Sequence, residues 1–394
     1  MIEAFAFRTA GRVVFGRGAR RRIAPATAVL GRRALLVVGA RSLASRGELE
    51  ALRGELEMAR VEVATFSIAG EPDVATADRG AAMAIAFEAS VVVAVGGGSV
   101  LDAGKAIATL ATNGGGAADY LEDLPTGGGR VLEAAPLPIV AVPTTAGTGS
   151  EVTRNAVLRI PEWSLKRSLR DDRMLPTVAV VDPELAASAP RDVAVPAGLD
   201  ALTHLVESYV SRGAQPTTDL LAHEGARRAF RALHALAADG AANEANEAWD
   251  DLALASLWGG MALANAGLGA VHGLAAPLGG RCAIPHGAAC AALLVPTIRA
   301  NVAAMRARAP YAGALERYAR LATTLVGRPE PEHLADALDG LRARLGAKSL
   351  AAYGASIADV TPVVAAARGG SMKSNPIVLS DGELDAILRA AGEW

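Results

Sequence analysis

The stretch "ASVVVAVGGGSVLDAGKAIA", residues 89–108, decides the architecture of the first half of this chain. Val91 to Val95 form an unbroken apolar run of strand length. Three glycines follow, and a helical pattern starts near Ser99. A run without polar alternation predicts a strand buried on both faces, as in a parallel sheet. Gly96, Gly97 and Gly98 lack a Cβ, so backbone N–H groups can approach a phosphate closely. The helix then points the positive end of its dipole at the anion. The pattern is neither GxGxxG nor a P-loop. A strand, glycine turn and helix occur in any α/β protein, so a tight structural turn explains this stretch alone equally well. A second such turn, "AVPTTAGTGSEVT" (residues 141–153), supplies Thr144, Thr145, Thr148 and Ser150 as hydroxyl donors. Two such loops at strand ends of one sheet predict a crevice of the kind that binds nucleotides.

Four further runs repeat the signal: "RALLVVGAR" (33–41), "VEVATFSI" (61–68), "LPIVAVPTT" (137–145) and "PTVAVVDP" (176–183). Helix-length segments such as "LASRGELEALRGELEMA" (43–59) and "DVATADRGAAMAIAFEAS" (73–90) lie between them. This alternation predicts a doubly wound α/β domain over residues 1–185. After about residue 185 the strand signals stop. Long Ala/Leu/Arg segments follow, among them "GLDALTHLVESYVSR", "DLLAHEGARRAFRALHALAAD", "AWDDLALASLWGGMALANAG" and "PEHLADALDGLRARLGA". An all-helical domain is expected over residues 186–394, and no internal repeat stands out.

Composition narrows the function classes. Half of the 394 residues are apolar and a fifth are charged, which suits a large buried core; the net charge of −2 gives no electrostatic case for nucleic acid or membrane binding. The opening "MIEAFAFRTAGRVVFGRGARRR" lacks the uninterrupted apolar region of a signal peptide, and long apolar stretches are Ala- and Gly-rich, as in packed soluble helices. Two cysteines, Cys282 and Cys290, form no disulfide framework and fit a reducing cytoplasm. Only four of the 39 basic residues are lysines, a bias expected of a GC-rich genome.

Three of the six histidines sit among glycines and small apolar residues, in "GLDALTH" (198–204), "AVHGLAAPLGG" (270–280) and "IPHGAAC" (284–290). Asp200 and His204 are four apart in a helical segment, so both project from one face. His272 and His286 are separated by "PLGG", expected to break the helix, and by Pro285, which lets the chain turn back. One carboxylate and three imidazoles suit Fe(II) or Zn(II). Spacing alone also allows a set of hydrogen-bonded core histidines. His223, His234 and His333 lie in charged helical stretches and read as surface residues.

Together the motifs resemble the iron-containing (group III) alcohol dehydrogenase family. The matching pieces run in the family's order through almost the whole chain: "FGRGA", "GGGSVLDAGKAIA", "PTTAGTGSEVT", "MLPTVAVVDPEL", "GLDALTHLVESYVS", "GLGAVHGLAAPLGG", "IPHGAACAALL" and "SMKSNPIVLS". The resemblance implies a Rossmann-like cofactor domain, an all-α metal domain of the dehydroquinate synthase-like architecture, and a cleft between them. It implies that Asp200, His204, His272 and His286 hold the metal. It places Gly97, Gly98 and Ser99 in the pyrophosphate loop with Asp102 nearby, and Thr144, Thr145 and Thr148 in a second cofactor loop. Lys166, in "WSLKRSL", matches a lysine partner of the nicotinamide ribose with a catalytic role, against the alternative of a solvated surface lysine. Asn155 and Leu268 match positions that shape the substrate pocket. The activity implied is hydride transfer between NAD(P)(H) and a small primary alcohol or aldehyde, by a homodimer or larger assembly.

Two departures stand out. Many members carry a second histidine four residues after the third ligand; here Ala276 stands there. Family members that prefer NAD commonly carry an aspartate at the end of the strand "LLVV", whereas this chain has Gly39 and Ala40, then Arg41 and Ser42. Losing that carboxylate removes repulsion of a 2′-phosphate, and an arginine can bind it, so the expectation leans to NADPH. Maleylacetate reductase, which shares the architecture, is the nearest alternative, and a non-catalytic binding protein on the same scaffold is a further one.

Overall fold

The structure is a computed structural model, described here for residues 4–40, 47–124, 127–239, 247–282, 284–309 and 313–394. It divides into two compact units: residues 8–145 with 149–189, and residues 4–7 with 146–148 and 190–394.

The first unit carries eight strands: β1 (Arg12–Phe15), β2 (Arg33–Gly39), β3 (Glu62–Ile68), β4 (Val91–Gly96), β5 (Ile139–Pro143), β6 (Asn155–Ile160), β7 (Leu165–Arg170) and β8 (Val178–Val181). Its helices are α1 (Ile23–Leu30), α2 (Glu48–Met58), α3 (Val74–Ala86), α4 (Gly98–Asn113), α5 (Ala117–Tyr120) and α6 (Pro183–Ala187). Six strands form one parallel sheet in the order β1-β8-β5-β4-β2-β3. All five runs expected to be strands belong to it.

Alternate residues of each central strand serve opposite faces. Leu36, Val38, Val93 and Val95 pack with Leu52 and Leu56 of α2, whereas Leu35, Val37, Val92 and Ala94 pack with Leu101 and Ile107 of α4. All are almost fully buried. Each such aliphatic side chain contributes about 1.5–3 kcal/mol, and this burial holds helices on both faces. The chain therefore leaves β2 toward one face and β4 toward the other, so their carboxyl ends form a topological switch point. Gly104 lets α4 lie close on the sheet; a Cβ there would stand 2.7 Å from that of Ala94.

Three strands are absent from the sequence-based expectation. β1 is only four residues long, an edge strand too short to give a pattern. β6 and β7 form a separate antiparallel hairpin. β6 alternates buried and half-buried residues and β7 buries only Lys166 and Leu169, which conceals both from a search for continuous apolar runs; Leu158, Ile160 and Leu169 pack with Ala77, Ala106 and Leu110 of α3 and α4.

The second unit is helical: α7 (Arg191–Val210), α8 (Pro216–Asp239), α9 (Ala248–Ala266), α10 (Ala270–Cys282), α11 (His286–Arg308), α12 (Gly313–Val326), α13 (Pro331–Arg344), α14 (Val360–Ala366) and α15 (Asp381–Gly392). No strand follows β8 among the described residues. The partition falls after Ala189, because α6 stays with the sheet. α11 is long and apolar enough to cross a bilayer, but most of it is buried inside the helical unit. The "PLGG" segment does not break its helix: α10 runs through Pro277, Gly279 and Gly280, and the chain turns only before Pro285, which caps α11. Burial of Leu274, Leu278 and the backbone around them overrides the weak local propensity.

Candidate metal centre and cofactor loops

Three helices of the second unit converge on one point. α7 supplies Asp200 and His204, α10 supplies His272, and α11 supplies His286 from its first turn. Asp200 Oδ1 lies 3.3 Å from His272 Nε2 and 3.8 Å from Nε2 of both His204 and His286. The His204 ring stacks on that of His272 with centroids 4.6 Å apart. Glycines make this approach possible. A Cβ on Gly287 would stand 2.6 Å from the Pro196 carbonyl oxygen of α7, and one on Gly269 would stand 2.7 Å from Glu207 Oε1.

Hydrogen bonds on the far side of the rings aim their lone pairs inward. His272 Nδ1 lies 2.6 Å from Glu207 Oε2, and His204 Nδ1 lies 3.3 Å from the Gly147 carbonyl. A carbonyl and a carboxylate only accept, so each Nδ1 carries a proton and Nε2 is the ring atom turned toward Asp200. Glu207 is held in turn by the Val271 N–H at 2.7 Å, and Asn375 Oδ1 accepts from Ala270 N–H at the start of α10.

Asp200 Oδ1 is buried and has no hydrogen-bond partner. A carboxylate oxygen facing imidazole lone pairs is costly unless a cation sits among them. The donor set, one oxygen and several nitrogens, fits a divalent transition metal. Ionisation follows the same logic. Burial disfavours the Asp200 carboxylate, but the three histidines outweigh it and hold its pKa well below the usual range. Burial pushes His204 down to about 3, so it is neutral. For His272 burial also acts downward, yet Cys290, Asp200 and Glu207 together raise it well above its ordinary value. His286 is the most open of the four side chains, at 36% exposure against 6% or less for the others, so the cluster opens on its flank.

Sequence reasoning missed two members of this neighbourhood. Glu207 stands seven residues after Asp200, on the same face of α7 two turns on, and that spacing was the available signal. Cys290, one turn after His286, is fully buried, with Sγ 3.6 Å from His272 Nε2 and 3.7 Å from His286 Nε2. Burial raises its thiol pKa to about 12. Asp200, His272, His286 and Cys290 bring ligand atoms within 4.8 Å of one another. His223, His234 and His333 are half-buried, and each bonds elsewhere: His223 with Thr324, His234 with the Phe230 carbonyl and Arg344, His333 with Glu330 and Arg328.

In the first unit Gly97 precedes α4 in an extended conformation, and Gly98 and Ser99 begin the helix. The two loops are adjacent because β4 pairs with β5: Thr144 N–H donates to the Gly96 carbonyl at 3.0 Å, and a Cβ on Gly97 would meet Thr145 Oγ1 at 3.4 Å. Thr148 belongs to the three-residue segment grouped with the helical unit, next to the Gly147 that holds His204. Asp102 is engaged inside the sheet unit, accepting from Ser150 Oγ at 2.6 Å and Val157 N–H at 3.0 Å and pairing with Lys105 at 3.2 Å. It therefore braces both loops from behind. Lys166 on β7 is not a solvated lysine: it is 7% exposed and paired with Glu71 at 2.6 Å. Asn155 opens β6, half-buried, and Leu268 is buried in the connection between α9 and α10. Gly39 ends β2, while Arg41 and Ser42 lie outside the described residues.

A doubly wound parallel sheet with two glycine- and threonine-rich loops, and a helical unit with a converging Asp/His cluster, define a nucleotide-linked metalloenzyme class. Family comparison sharpens this. The model described as "Iron-containing alcohol dehydrogenase" matches residues 10–183, and "Fe-containing alcohol dehydrogenase family, C-terminal" matches residues 194–392. The chain is 38% identical over 280 residues to long-chain-alcohol dehydrogenase 1 of Geobacillus thermodenitrificans, covering 71% of this chain and 69% of that one. It is 39% identical over 257 residues to 1,3-propanediol dehydrogenase of Klebsiella pneumoniae, covering 64% and 65%. Among solved structures, a 1,3-propanediol oxidoreductase superposes with TM-score 0.88 at 33% identity, over 99% of this chain and all of that one. An archaeal halo-thermophilic alcohol dehydrogenase from a Red Sea brine pool superposes with TM-score 0.91 at 26% identity, over 99% of both. The chain belongs to the iron-containing alcohol dehydrogenase family, and these relatives support an alcohol dehydrogenase or aldehyde reductase; maleylacetate reductase is not indicated.

Proposed function

We propose that this protein is a metal-dependent, NAD(P)(H)-linked dehydrogenase that interconverts small primary alcohols and aldehydes. The observation that carries the reading is the buried, unpartnered Asp200 Oδ1 facing three imidazoles. Asp200, His204, His272 and His286 would hold Fe(II) or Zn(II), which polarises a carbonyl and lowers the pKa of an alcohol. The protein's own residues do the rest. Glu207 fixes the His272 tautomer, and Gly147 fixes that of His204. The backbone after β4 and the threonines after β5 would bind the pyrophosphate, and Lys166, shared with Glu71, would meet the nicotinamide ribose. Asn155 and Leu268 would shape the alcohol site. With Ala276 on α10, no imidazole stands one turn beyond His272 to relay protons, so protons would leave through water, a cofactor hydroxyl or another group. The family resemblance also supports a homodimer or larger assembly.

The test is turnover of 1-propanol and 1,3-propanediol by protein purified without chelator, with metal analysis alongside. Chelation should abolish turnover and metal return should restore it; chelated protein at the full rate would sink the reading. For cofactor choice, the absent acid after Val38 leads us to expect NADPH to serve at least as well as NADH. A tenfold preference for NADH in kcat/KM, about 1.4 kcal/mol, would refute that.

A further inference from the structure

We propose that Cys290 is itself a ligand of this metal centre, and that its sulfur tunes the site toward zinc over ferrous iron. The inference rests on the metal-dependent reading above and adds a donor to it. Cys290 projects from α11 one turn after His286, as His204 follows Asp200 on α7, so two helices each offer a pair of donors around His272. Two ligand atoms on a tetrahedral zinc, one sulfur at about 2.3 Å and one nitrogen at about 2.0–2.1 Å, stand about 3.6 Å apart. Cys290 Sγ lies 3.6 Å from His272 Nε2 and 3.7 Å from His286 Nε2, and Asp200 Oδ1 completes the set 3.3 Å from His272. An ordinary buried cysteine packs as a small apolar group. This one is fully buried, yet its sulfur faces Nε2 of both His272 and His286, beside the same orphaned carboxylate oxygen that calls for a cation.

Coordination needs no redox partner. The S–H bond breaks as the sulfur–metal bond forms, the thiol proton leaves to water, and no electron is transferred. A thiolate is a soft donor that favours zinc, whereas an all-nitrogen-and-oxygen shell accommodates iron more readily. Asp200, His272, His286 and Cys290 bring ligand atoms within 4.8 Å of one another, so a soft ion can take the sulfur as one of its donors.

The probe is Co(II) added to metal-free protein. Bound cobalt should show the intense near-ultraviolet sulfur-to-cobalt charge-transfer band, and Cys282→Ser, which leaves Cys290 as the sole thiol, should keep it. Cys290→Ser should bind cobalt without the band. In competition dialysis its preference for zinc over Fe(II) should fall at least tenfold. Cobalt bound without the band in wild type, a band that survives Cys290→Ser, or an unchanged zinc preference overturns the proposal. If Cys290→Ser fails to fold by circular dichroism, the band in Cys282→Ser decides alone. Failure of wild type to bind any cobalt would instead remove the metal-dependent reading itself.

Discussion

Glu207 shows how much of this centre depends on residues that never reach the ion. Its carboxylate accepts a hydrogen bond from His272 Nδ1–H and is itself pinned by the Val271 N–H. Glu207→Gln can present its NH2 to Nδ1, which favours the wrong tautomer. Losing such a partner typically lowers metal affinity about 10–100-fold, and titration with a chromophoric chelator should read a loss of that size with the fold intact. His286→Ala removes a proposed ligand instead, so turnover should fall more than about a hundredfold, while cofactor binding, proposed to rest on Gly97 and Thr144, stays put. His234→Ala, outside the cluster, should keep metal and rate. A His286→Ala protein with its full metal content would return these histidines to a purely structural role. In the sheet unit, burial lifts the Glu151 carboxyl to about 7 against an ordinary 4.5, with the Lys105 ammonium pulling the other way. A raised acid pKa means the fold holds the proton more tightly than the open chain does. The associated stability is present below about pH 4.5 and is lost as pH rises to 7, at most about 3 kcal/mol. Urea unfolding at pH 5 and pH 8 should show this slope in wild type and a flatter one in Glu151→Gln; equal slopes would count against it.

Helices and strands differ in how openly the chain declares them. The central strands are legible because a strand buried on both faces must be apolar throughout, and Val91–Val95 has no other stable placement. The β6–β7 hairpin is not, since half of its residues face outward and its apolar positions are dispersed. "PLGG" in α10 misleads for a related reason: Pro277 and two glycines argue locally for a break, and only packing around His272 and Leu274 keeps them helical. The four proposed ligands are legible as candidates through the ordered set of motifs, but Glu207 and Cys290 belong to no such set and become visible only once α7, α10 and α11 meet. That meeting depends on small residues. Gly287 faces the Pro196 carbonyl, where a Cβ would stand at 2.6 Å, so the contact is with backbone that cannot rotate away. Gly287→Ala must push α11 off α7. A loss of about 1–3 kcal/mol in denaturant unfolding is expected, together with weaker metal binding, because His286 is its neighbour. An alanine variant with unchanged stability and metal affinity would show that the helices can part without loss.

The proposed ligands are residues 200, 204, 272 and 286, with Glu207 and Asn375 behind them, so the ion would tie together segments that span most of the helical unit. None of these donors converges in an unfolded chain. A metal that binds the folded state and not the unfolded one must therefore raise stability by mass action, about 1.4 kcal/mol for each tenfold rise in free metal above its dissociation constant. The effect belongs to the helical unit, because every ligand lies there. Unfolding followed by tryptophan fluorescence suits the measurement: Trp249 and Trp258 lie on α9, whereas Trp163 lies beside the β6–β7 hairpin. At zinc concentrations buffered over three decades, the midpoint of the helical transition should climb with each step in wild type. His286→Ala should need far higher zinc before it begins to climb. The paired acceptors also predict the behaviour of metal-free protein: with Asp200 buried and unpartnered, it should be less stable than the loaded form, and more open to proteolysis around α10 and α11. A midpoint that stays level across the whole zinc range in wild type would mean that the cluster holds its shape without an ion, and that the orphaned carboxylate is satisfied in some other way.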